Sequence, residues 1–283
     1  MTTAPTLAPA ILRPAPGRRT AARAYLAIAR VAARSLVAYR VPFLLSLIGS
    51  VLTFASLLYL WQAIIESGSV GTGYTWPQMR TYLLVGFVVG TIVSPWTDWR
   101  MAFRVLDGAV ATDLTKPVDF QKARFAETAG FALVEVGVGL VVGIGVVAWF
   151  GGVVLPPPTM CVAFVVSMLF VLPLKFCLMY LFSLLCFWTQ GYVGINWARL
   201  ALTALFSGAL LPLAVFPAWL QAVAQALPFQ ATVSTPALIL LDEVHGAELW
   251  RMIAVQIAWT VALWWGARGA WRRASRQLTV HGG

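Results

Sequence analysis

Six apolar runs alternate with short polar connections along this chain of 283 residues, and each run is long enough for a membrane helix. Crossing a hydrocarbon core of about 30 Å takes about 20 helical residues. The pattern therefore predicts an all-α integral membrane protein with six transmembrane helices. We place these spans at residues 41–65, 79–98, 128–150, 159–188, 198–216 and 251–271.

The apolar stretch 198–241 is far longer than one crossing and is interrupted by Pro217, Pro228 and Pro236. Proline removes a backbone donor and clashes with the preceding turn, so no straight helix continues through all three. The part after Phe216 either crosses as a broken helix or dips in and returns to the same side. Broken backbone at membrane depth is tolerated only where protein or a water-filled cavity covers it.

The distribution of charge favours the returning arrangement. The loop 242–248 is acidic and has no Lys or Arg, whereas the end of the last apolar run carries Arg268, Arg272, Arg273 and Arg276. Cytoplasmic flanks are enriched in Lys and Arg. We therefore predict two re-entrant or interfacial half-helices on the outer side between spans 5 and 6, with both termini in the cytoplasm.

The chain before the first span divides into two parts. Residues 1–19 are rich in Pro and Ala and are predicted to be a flexible cytoplasmic tail, as are residues 272–283 at the other end. A transmembrane domain then covers 20–271. When residues 20–40 are placed on a helix at 100° per residue, four arginines fall on one narrow stripe. They are Arg19, Arg23, Arg30 and Arg34. This stripe predicts a basic amphipathic helix in the inner interface; an ordinary solvated helix is the alternative.

The longest polar segment inside the transmembrane domain, residues 100–127, contains five basic residues and is predicted to be cytoplasmic. Leu106, Val110 and Leu114 recur at helical spacing, Gly108 permits a turn, and Pro117 ends the run. The segment is therefore predicted to be a compact amphipathic element, with a plain solvated loop as the alternative.

The stretch SGALLPLAVFPAWLQAVAQALPF, residues 207–229, resembles the signature of the ABC-2 family of ABC-transporter permeases. In that family a Gly and a Pro near the outer end of the fifth helix precede a short amphipathic helix and a second Pro. The residues that match are Ser207, Gly208, Pro212, Pro217, Trp219 and Pro228. The family's six spans and its helix before the first span are similar to the layout described above.

The segment 100–127 is similar to the ABC-2 loop that follows the second span. The residues that match are Asp107, Gly108, Asp113, Leu114, Lys116 and Pro117. In the family this loop is the coupling helix that docks onto the nucleotide-binding subunit. The resemblance implies docking in which Leu106, Val110 and Leu114 are apolar anchors, and in which Asp107, Asp113 and Lys116 form a polar rim.

The resemblance implies a permease subunit of an ATP-driven ABC exporter in a bacterial plasma membrane. Two permeases, identical or homologous, would form the translocation pathway and pair with two cytoplasmic ATPase subunits that bind ATP and Mg²⁺. The proline-broken segment would lie over this pathway or against a partner, with Gly208, Pro212, Pro217, Trp219 and Pro228 as its candidate residues. The apolar residues of spans 2 and 5 favour an amphiphilic substrate over an ion.

The composition argues against other classes of protein. The chain is 60% hydrophobic and 11% charged, whereas soluble domains are about 25% charged. Its net charge of +10 follows from topology rather than nucleic-acid binding, because 17 of the 20 Lys and Arg residues lie in segments predicted at the cytoplasmic face.

The sequence contains no G-x-x-x-x-G-K-[ST] phosphate-binding motif, no H-E-x-x-H zinc motif and no candidate Ser-His-Asp set. The three cysteines, Cys161, Cys177 and Cys186, match no metal or redox spacing. We therefore predict that the chain is not an enzyme and holds no cofactor or metal, and that a partner subunit hydrolyses ATP. A polytopic membrane enzyme acting on lipid and a non-transporting scaffold are the rival classes.

Two ionisable residues, Glu135 and Lys175, fall inside predicted spans 3 and 4. Charges at membrane depth are costly and are usually paired or face a cavity. A structural ion pair and a substrate-contacting role are both compatible with the sequence.

Overall fold

The computed structural model describes residues 18–38, 40–68, 73–189 and 191–277, and all regular secondary structure in these ranges is helical. The helices are α1 Arg18–Ala38, α2 Arg40–Ser67, α3 Trp76–Ile92, α4 Pro95–Leu106, α5 Val110–Leu114, α6 Phe120–Trp149, α7 Pro158–Leu184, α8 Cys186–Thr189, α9 Val193–Phe206, α10 Ala218–Ala226, α11 Ser234–Leu240 and α12 Gly246–Ala274. Most of the predicted tail 1–19, and residues 278–283 of the other tail, lie outside the described residues.

Three helical segments of the described chain are long and apolar enough to cross a membrane by length and composition. They are Val41–Ser67 in α2, Phe120–Trp149 in α6, and Pro158–Thr189, which combines α7 and α8. These segments coincide with predicted spans 1, 3 and 4, and the prediction of an all-α membrane protein is confirmed to that extent. Six spans stay a prediction, because α3 and α9 have only 17 and 14 residues and α12, which covers predicted span 6, is not among the three segments.

Helices α3 and α9 both end before the predicted ends of spans 2 and 5, each at a break in the backbone. After α3, Val93 is extended, and Ser94 caps a new helix whose first residue is Pro95. Proline disfavours helical geometry in the residue before it, so a straight helix cannot continue through Ser94. After α9, Gly208 adopts a φ of +85°, a left-handed conformation that glycine tolerates best.

Helix α6 packs closely against α3, and two of its glycines make this approach possible. A Cβ atom at Gly139 would lie 2.8 Å from Cγ2 of Thr91, and one at Gly143 would lie 2.7 Å from Cδ1 of Leu84. Both distances are too short for carbon atoms. Gly139 and Gly143 therefore serve as small residues that let two membrane helices come together.

The C-terminal end of α6 is held by an arginine from α3. The guanidinium of Arg80 donates hydrogen bonds to the carbonyl oxygens of Phe150 and Gly151, at 2.7 and 2.8 Å. The last carbonyls of a helix have no partner within the helix. Arg80 satisfies such acceptors and joins the end of α6 to the beginning of α3.

The basic helix α1 lies against the opposite half of α6. Ala32 and Leu36 are buried beside Phe131, whereas Arg23, Arg30 and Arg34 are exposed. The helices meet so closely at Gly130 that a Cβ atom there would overlap the backbone carbonyl of Ala29. One face of α1 is thus fixed to the protein, and its arginine face stays free to meet a membrane surface.

We expect Gly130→Ala to destabilise the fold by about 1–3 kcal/mol, the usual range for overpacking. Gly137→Ala on the same helix is the matched control, because a Cβ atom at Gly137 meets nothing within 4 Å. The control should be neutral or should gain about 0.5–1 kcal/mol, since alanine favours helix more than glycine. Unfolding of the purified variants in detergent measures both changes. Equal stability of the two variants would contradict the close contact.

Candidate functional site

The polar segment between α3 and α6 folds into a helical hairpin, defined here as residues 95–119. Helix α4 leads out, Gly108 turns the chain with a φ of +69°, and the short α5 leads back towards α6. Asp119 caps α6 by accepting a hydrogen bond from the Lys122 N–H at 3.0 Å. The sequence prediction of a compact element rather than a plain loop agrees with this hairpin.

The three apolar residues predicted as docking anchors do not share one outward face. Val110 is completely buried in a cluster with Met101, Phe120 and Tyr180. Leu106 packs partly against the same cluster, whereas Leu114 is 49% exposed. The prediction is wrong for Val110, because the turn at Gly108 separates Leu106 from the other two and ends the helical spacing on which the stripe depended.

The hairpin exposes one leucine among polar residues. Leu114 is exposed together with Asp107, Gly108, Lys116 and Pro117. We call these five residues the hairpin tip. All five were singled out in the sequence as coupling residues, and in the structure they are the members of that set that another subunit could reach directly.

Asp113 does not belong to a polar rim, because its side chain is only 4% exposed. Its carboxylate lies 2.8 Å from Nη1 of Arg104, 2.7 Å from Nζ of Lys116 and 3.7 Å from Nη2 of Arg124. Burial alone would raise the pKa of Asp113. The hydrogen bond from Lys116 and the charges of Arg124 and Arg104 outweigh burial and hold that pKa below its usual value.

A second carboxylate, Glu127 on α6, extends this network. It lies 3.0 Å from Nη2 of Arg100 and 3.5 Å from Nη2 of Arg104, and it also pairs with Arg124. Together the groups form what we call the ion cluster: Arg100, Arg104, Asp113, Lys116, Arg124 and Glu127. Because its members come from α4, from α5 and the residues after it, and from α6, the ion cluster fixes the hairpin to the long helix behind it.

Sequence reasoning did not assign roles to Arg100, Arg104, Arg124 and Glu127, although a signal was present. Arg100 and Arg104 are four residues apart before the turn, and Arg124 and Glu127 are three apart after it. Side chains at these spacings lie on one face of a helix. Two charged faces flanking one turn therefore point to an ionic contact across the hairpin.

The proline-broken segment after α9 is irregular, and neighbouring helices satisfy its backbone. The carbonyl of Ser207 accepts a hydrogen bond from the Ser234 N–H at 3.0 Å, and that of Leu210 accepts one from Nε1 of Trp61 at 3.1 Å. At Gly208 a Cβ atom would clash with the hydroxyl of Tyr82. The segment thus lies directly against α2 and α3.

Two short helices, α10 and α11, occupy the region where half-helices are predicted, and they differ in environment. Their re-entrant or interfacial placement stays a prediction. Helix α11 is enclosed by the bundle, with Ala237 and Ile239 completely buried. Helix α10 lies on the surface of the bundle, where Trp219 is 69% exposed. Of the prolines between α9 and α11, Pro212 and Pro228 are buried and Pro217 is exposed. The broken backbone is therefore largely covered by protein, as the physical argument requires.

The two charged residues predicted at membrane depth contact opposite sides of the break between α3 and α4. Lys175 donates a hydrogen bond to the carbonyl oxygen of Val89, near the C-terminal end of α3. Glu135 faces the side chain and backbone of Ser94, at the N-terminal end of α4. It also interacts electrostatically with Lys175. A cation at a helix C-terminus and an anion at an N-terminus are both favourable. The break thus holds the two charges in complementary places.

Comparison with known proteins assigns the chain to a family. Residues 51–282 match the family described as ABC-2 family transporter protein, which is most of the chain. The chain therefore belongs to the ABC-2 family of transporter proteins, whose members are typically non-catalytic membrane subunits. No curated protein and no solved structure matches it.

We expect Asp113→Asn to destabilise the protein at neutral pH by about 1–3 kcal/mol. Removing one partner of a fully buried ion pair costs about 3–5 kcal/mol, and the smaller value reflects the partial exposure of Arg104 and Lys116. The exposed Asp107 lies in the same hairpin, so Asp107→Asn is the control and should change stability little.

The stability lost in Asp113→Asn should depend on pH in a defined direction. The unfolded Asp113 titrates near the ordinary value of about 3.9, and folding lowers its pKa. Its stabilising contribution is therefore complete above about pH 5 and disappears as the pH falls through the folded-state pKa. Melting temperatures of wild type and Asp113→Asn should converge on acidification. A gap that stays constant down to pH 3 would contradict the ion cluster.

Proposed function

We propose that this chain is the membrane-spanning permease subunit of an ATP-driven ABC exporter and that separate ATPase subunits drive it. The membership of the ABC-2 family carries this proposal. The coupling element would be the hairpin tip, where Leu114 is the apolar anchor and Asp107, Lys116 and Pro117 form its surroundings. ATP and Mg²⁺ would bind to the ATPase, since this sequence contains no phosphate-binding loop.

The ion cluster suits the hairpin to pass on a displacement. A docking helix on a loose loop would move without moving the bundle. Here Arg104, Asp113 and Arg124 connect the hairpin to α6, and Val110 is inserted into the core beside α7 and α12. A push on Leu114 would therefore reach the membrane helices through buried contacts rather than through flexible chain.

A second permease would cover the surface of α2. This helix is the least buried of the three long apolar helices. Its exposed large apolar residues are Val41, Leu44, Leu45, Ile48, Leu52, Tyr59 and Leu60. We propose that part of this face contacts an identical or homologous permease and the rest contacts lipid. The translocation pathway would lie at that interface and pass the segment from Gly208 to Trp219.

The proposed setting is a bacterial plasma membrane with both termini in the cytoplasm. The arginines of α1 and those at the end of α12 support this orientation through the enrichment of Lys and Arg on cytoplasmic flanks. The acidic loop between α11 and α12 would then face outward. An amphiphile is the proposed substrate, because apolar side chains dominate the surfaces that the spans present.

We expect Leu114→Asp to leave the permease folded and inserted but to release or uncouple the ATPase. Truncating one central apolar anchor of an interface costs about 1–4 kcal/mol, which corresponds to roughly 5-fold to 1,000-fold weaker docking. Substrate-stimulated ATP hydrolysis and co-purification of the ATPase are measured together. Leu114 is half-exposed in the chain alone, so the substitution does not disturb the core.

Leu155→Asp is the matched control, an exposed leucine in the turn after α6. Helix α6 has 30 residues, or about 45 Å at 1.5 Å per residue, so Leu155 lies at the far end of the bundle from the hairpin tip. It should retain full coupling. Val110→Asp should instead reduce stability, since Val110 is buried. Normal coupling in Leu114→Asp would remove the hairpin tip as the docking site.

A labelling experiment tests the orientation. In a background without Cys161, Cys177 and Cys186, a cysteine at Glu248 should react with a membrane-impermeant thiol reagent added from outside. A cysteine at Arg272 should react only after the cytoplasmic side is opened. Both positions are exposed in the structure, so the side of the membrane decides the reaction. Labelling of Glu248→Cys from the cytoplasmic side alone would overturn the six-span arrangement.

A further inference from the structure

A cavity of about 270 Å³ lies between α1, α2, α3, α4 and α6, away from the hairpin tip. This is close to the lower limit of about 300 Å³ for small-molecule pockets. Pro42, Ser46, Ser50 and Gly90 at its edge are exposed, so the cavity opens through the surface formed by α2 and α3. Since α2 is a membrane-length apolar helix, a ligand would reach the opening from the bilayer.

The buried part of the cavity wall contains a carboxylate with one oxygen that accepts no hydrogen bond. Glu135 lines the cavity, is only 4% exposed, and its Oε2 atom is buried without a hydrogen-bond partner. Leaving a buried acceptor without a donor is unfavourable, and more so for a charged group. A donor that entered the cavity would remove this cost.

Three of the five hydroxyl groups that line the cavity also favour a donor. Ser35, Ser50 and Thr91 each donate their proton to a carbonyl of their own helix, namely that of Ala32, Ser46 and Val88. A hydroxyl has one proton and two lone pairs. These three can therefore only accept hydrogen bonds from a ligand, so an anion would find few donors among them.

The positive charge in the wall is already compensated. Arg100 donates to Glu127 at 3.0 Å, and its guanidinium lies 4.9 Å from the ring centre of Phe131. Lys175, the other cation near Glu135, donates to Val89 and is not among the lining residues. Leu36, Phe43, Leu47 and Trp99 supply apolar and aromatic surface to the same cavity.

We propose that this cavity binds the primary ammonium group of an amphiphile. The ammonium has three N–H donors, which would serve Glu135 and the acceptor hydroxyls, while Trp99 and Phe43 offer aromatic surface to the cation. The alkyl part would leave past Gly90 and Ser46 into the bilayer. The same chemistry occurs in an aminophospholipid of the membrane and in a free lipophilic amine.

Binding is measured on the purified chain in an uncharged detergent without ATPase, so the result is independent of the proposed coupling. Dodecylamine is the probe, and dodecanol, which has the same chain and no charge, is its control. We expect saturable binding of dodecylamine at least about ten-fold tighter than that of dodecanol, because a charged hydrogen bond exceeds a neutral one by about that factor. Equal affinities would overturn the proposal.

Two pairs of variants locate the site. Glu135→Gln should weaken dodecylamine binding about ten-fold or more, and Glu66→Gln, an exposed glutamate at the end of α2, should not change it. Gly90→Phe should obstruct the opening, because a Cβ atom at Gly90 meets nothing within 4 Å; Gly145→Phe is equally uncrowded and serves as its control. Should Glu135→Gln fail to fold, unchanged binding in Gly90→Phe would by itself sink the assignment.

Competition in lipid nanodiscs distinguishes the two sources of the ammonium group. If phosphatidylethanolamine displaces dodecylamine and phosphatidylcholine does not, the cavity takes a membrane aminophospholipid. If neither lipid displaces it, the cavity takes a free amine. Both results support the ammonium site. Equal displacement by phosphatidylcholine, whose headgroup has no N–H donor, would contradict it.

Discussion

The carboxylate of Asp113 organises the end of the molecule that contains the hairpin. Three cations from three parts of the chain converge on it: Arg104 from α4, Lys116 from the chain after α5, and Arg124 from α6. An uncompensated arginine in this position would be expensive to bury. This balance of charge holds α4, the chain after α5 and the first turns of α6 together.

A second constraint is the need to satisfy backbone groups where helices are broken. The two main breaks solve it differently. At the junction of α3 and α4, Lys175 and Glu135 meet the two helix ends with charge. After α9, the side chain of Trp61 and the backbone of Ser234 meet the carbonyls of the irregular segment. Both breaks lie within the apolar part of the chain, where water is a scarce partner.

Sequence patterns predicted an all-helical fold, the long helices α2, α6 and α7, and a compact element where the hairpin lies. They also predicted a break into shorter helices where α10 and α11 lie. These depend on apolar length, proline and glycine, which act locally. The same patterns did not predict which side chains of the hairpin point inward. Val110 and Asp113 look like surface residues by spacing, yet a single left-handed glycine turns them inward. The pairs Arg124–Glu127 and Lys116–Asp113 are local, three residues apart. The contacts of Arg104 and Arg124 with Asp113 form across the turn, by packing that no local pattern encodes.

Arginine side chains hold both ends of helix α6 through ion pairs and hydrogen bonds. Arg104 and Arg124 hold its first turns through Asp113 and Glu127, and Arg80 holds the carbonyls after its last turn. Between these points its glycines lock it against α1 and α3. A rod of about 45 Å fixed in this way has little freedom to bend or slide. A displacement of one end of α6 would therefore reach the other end mainly as a tilt of the whole helix, together with the helices attached to it.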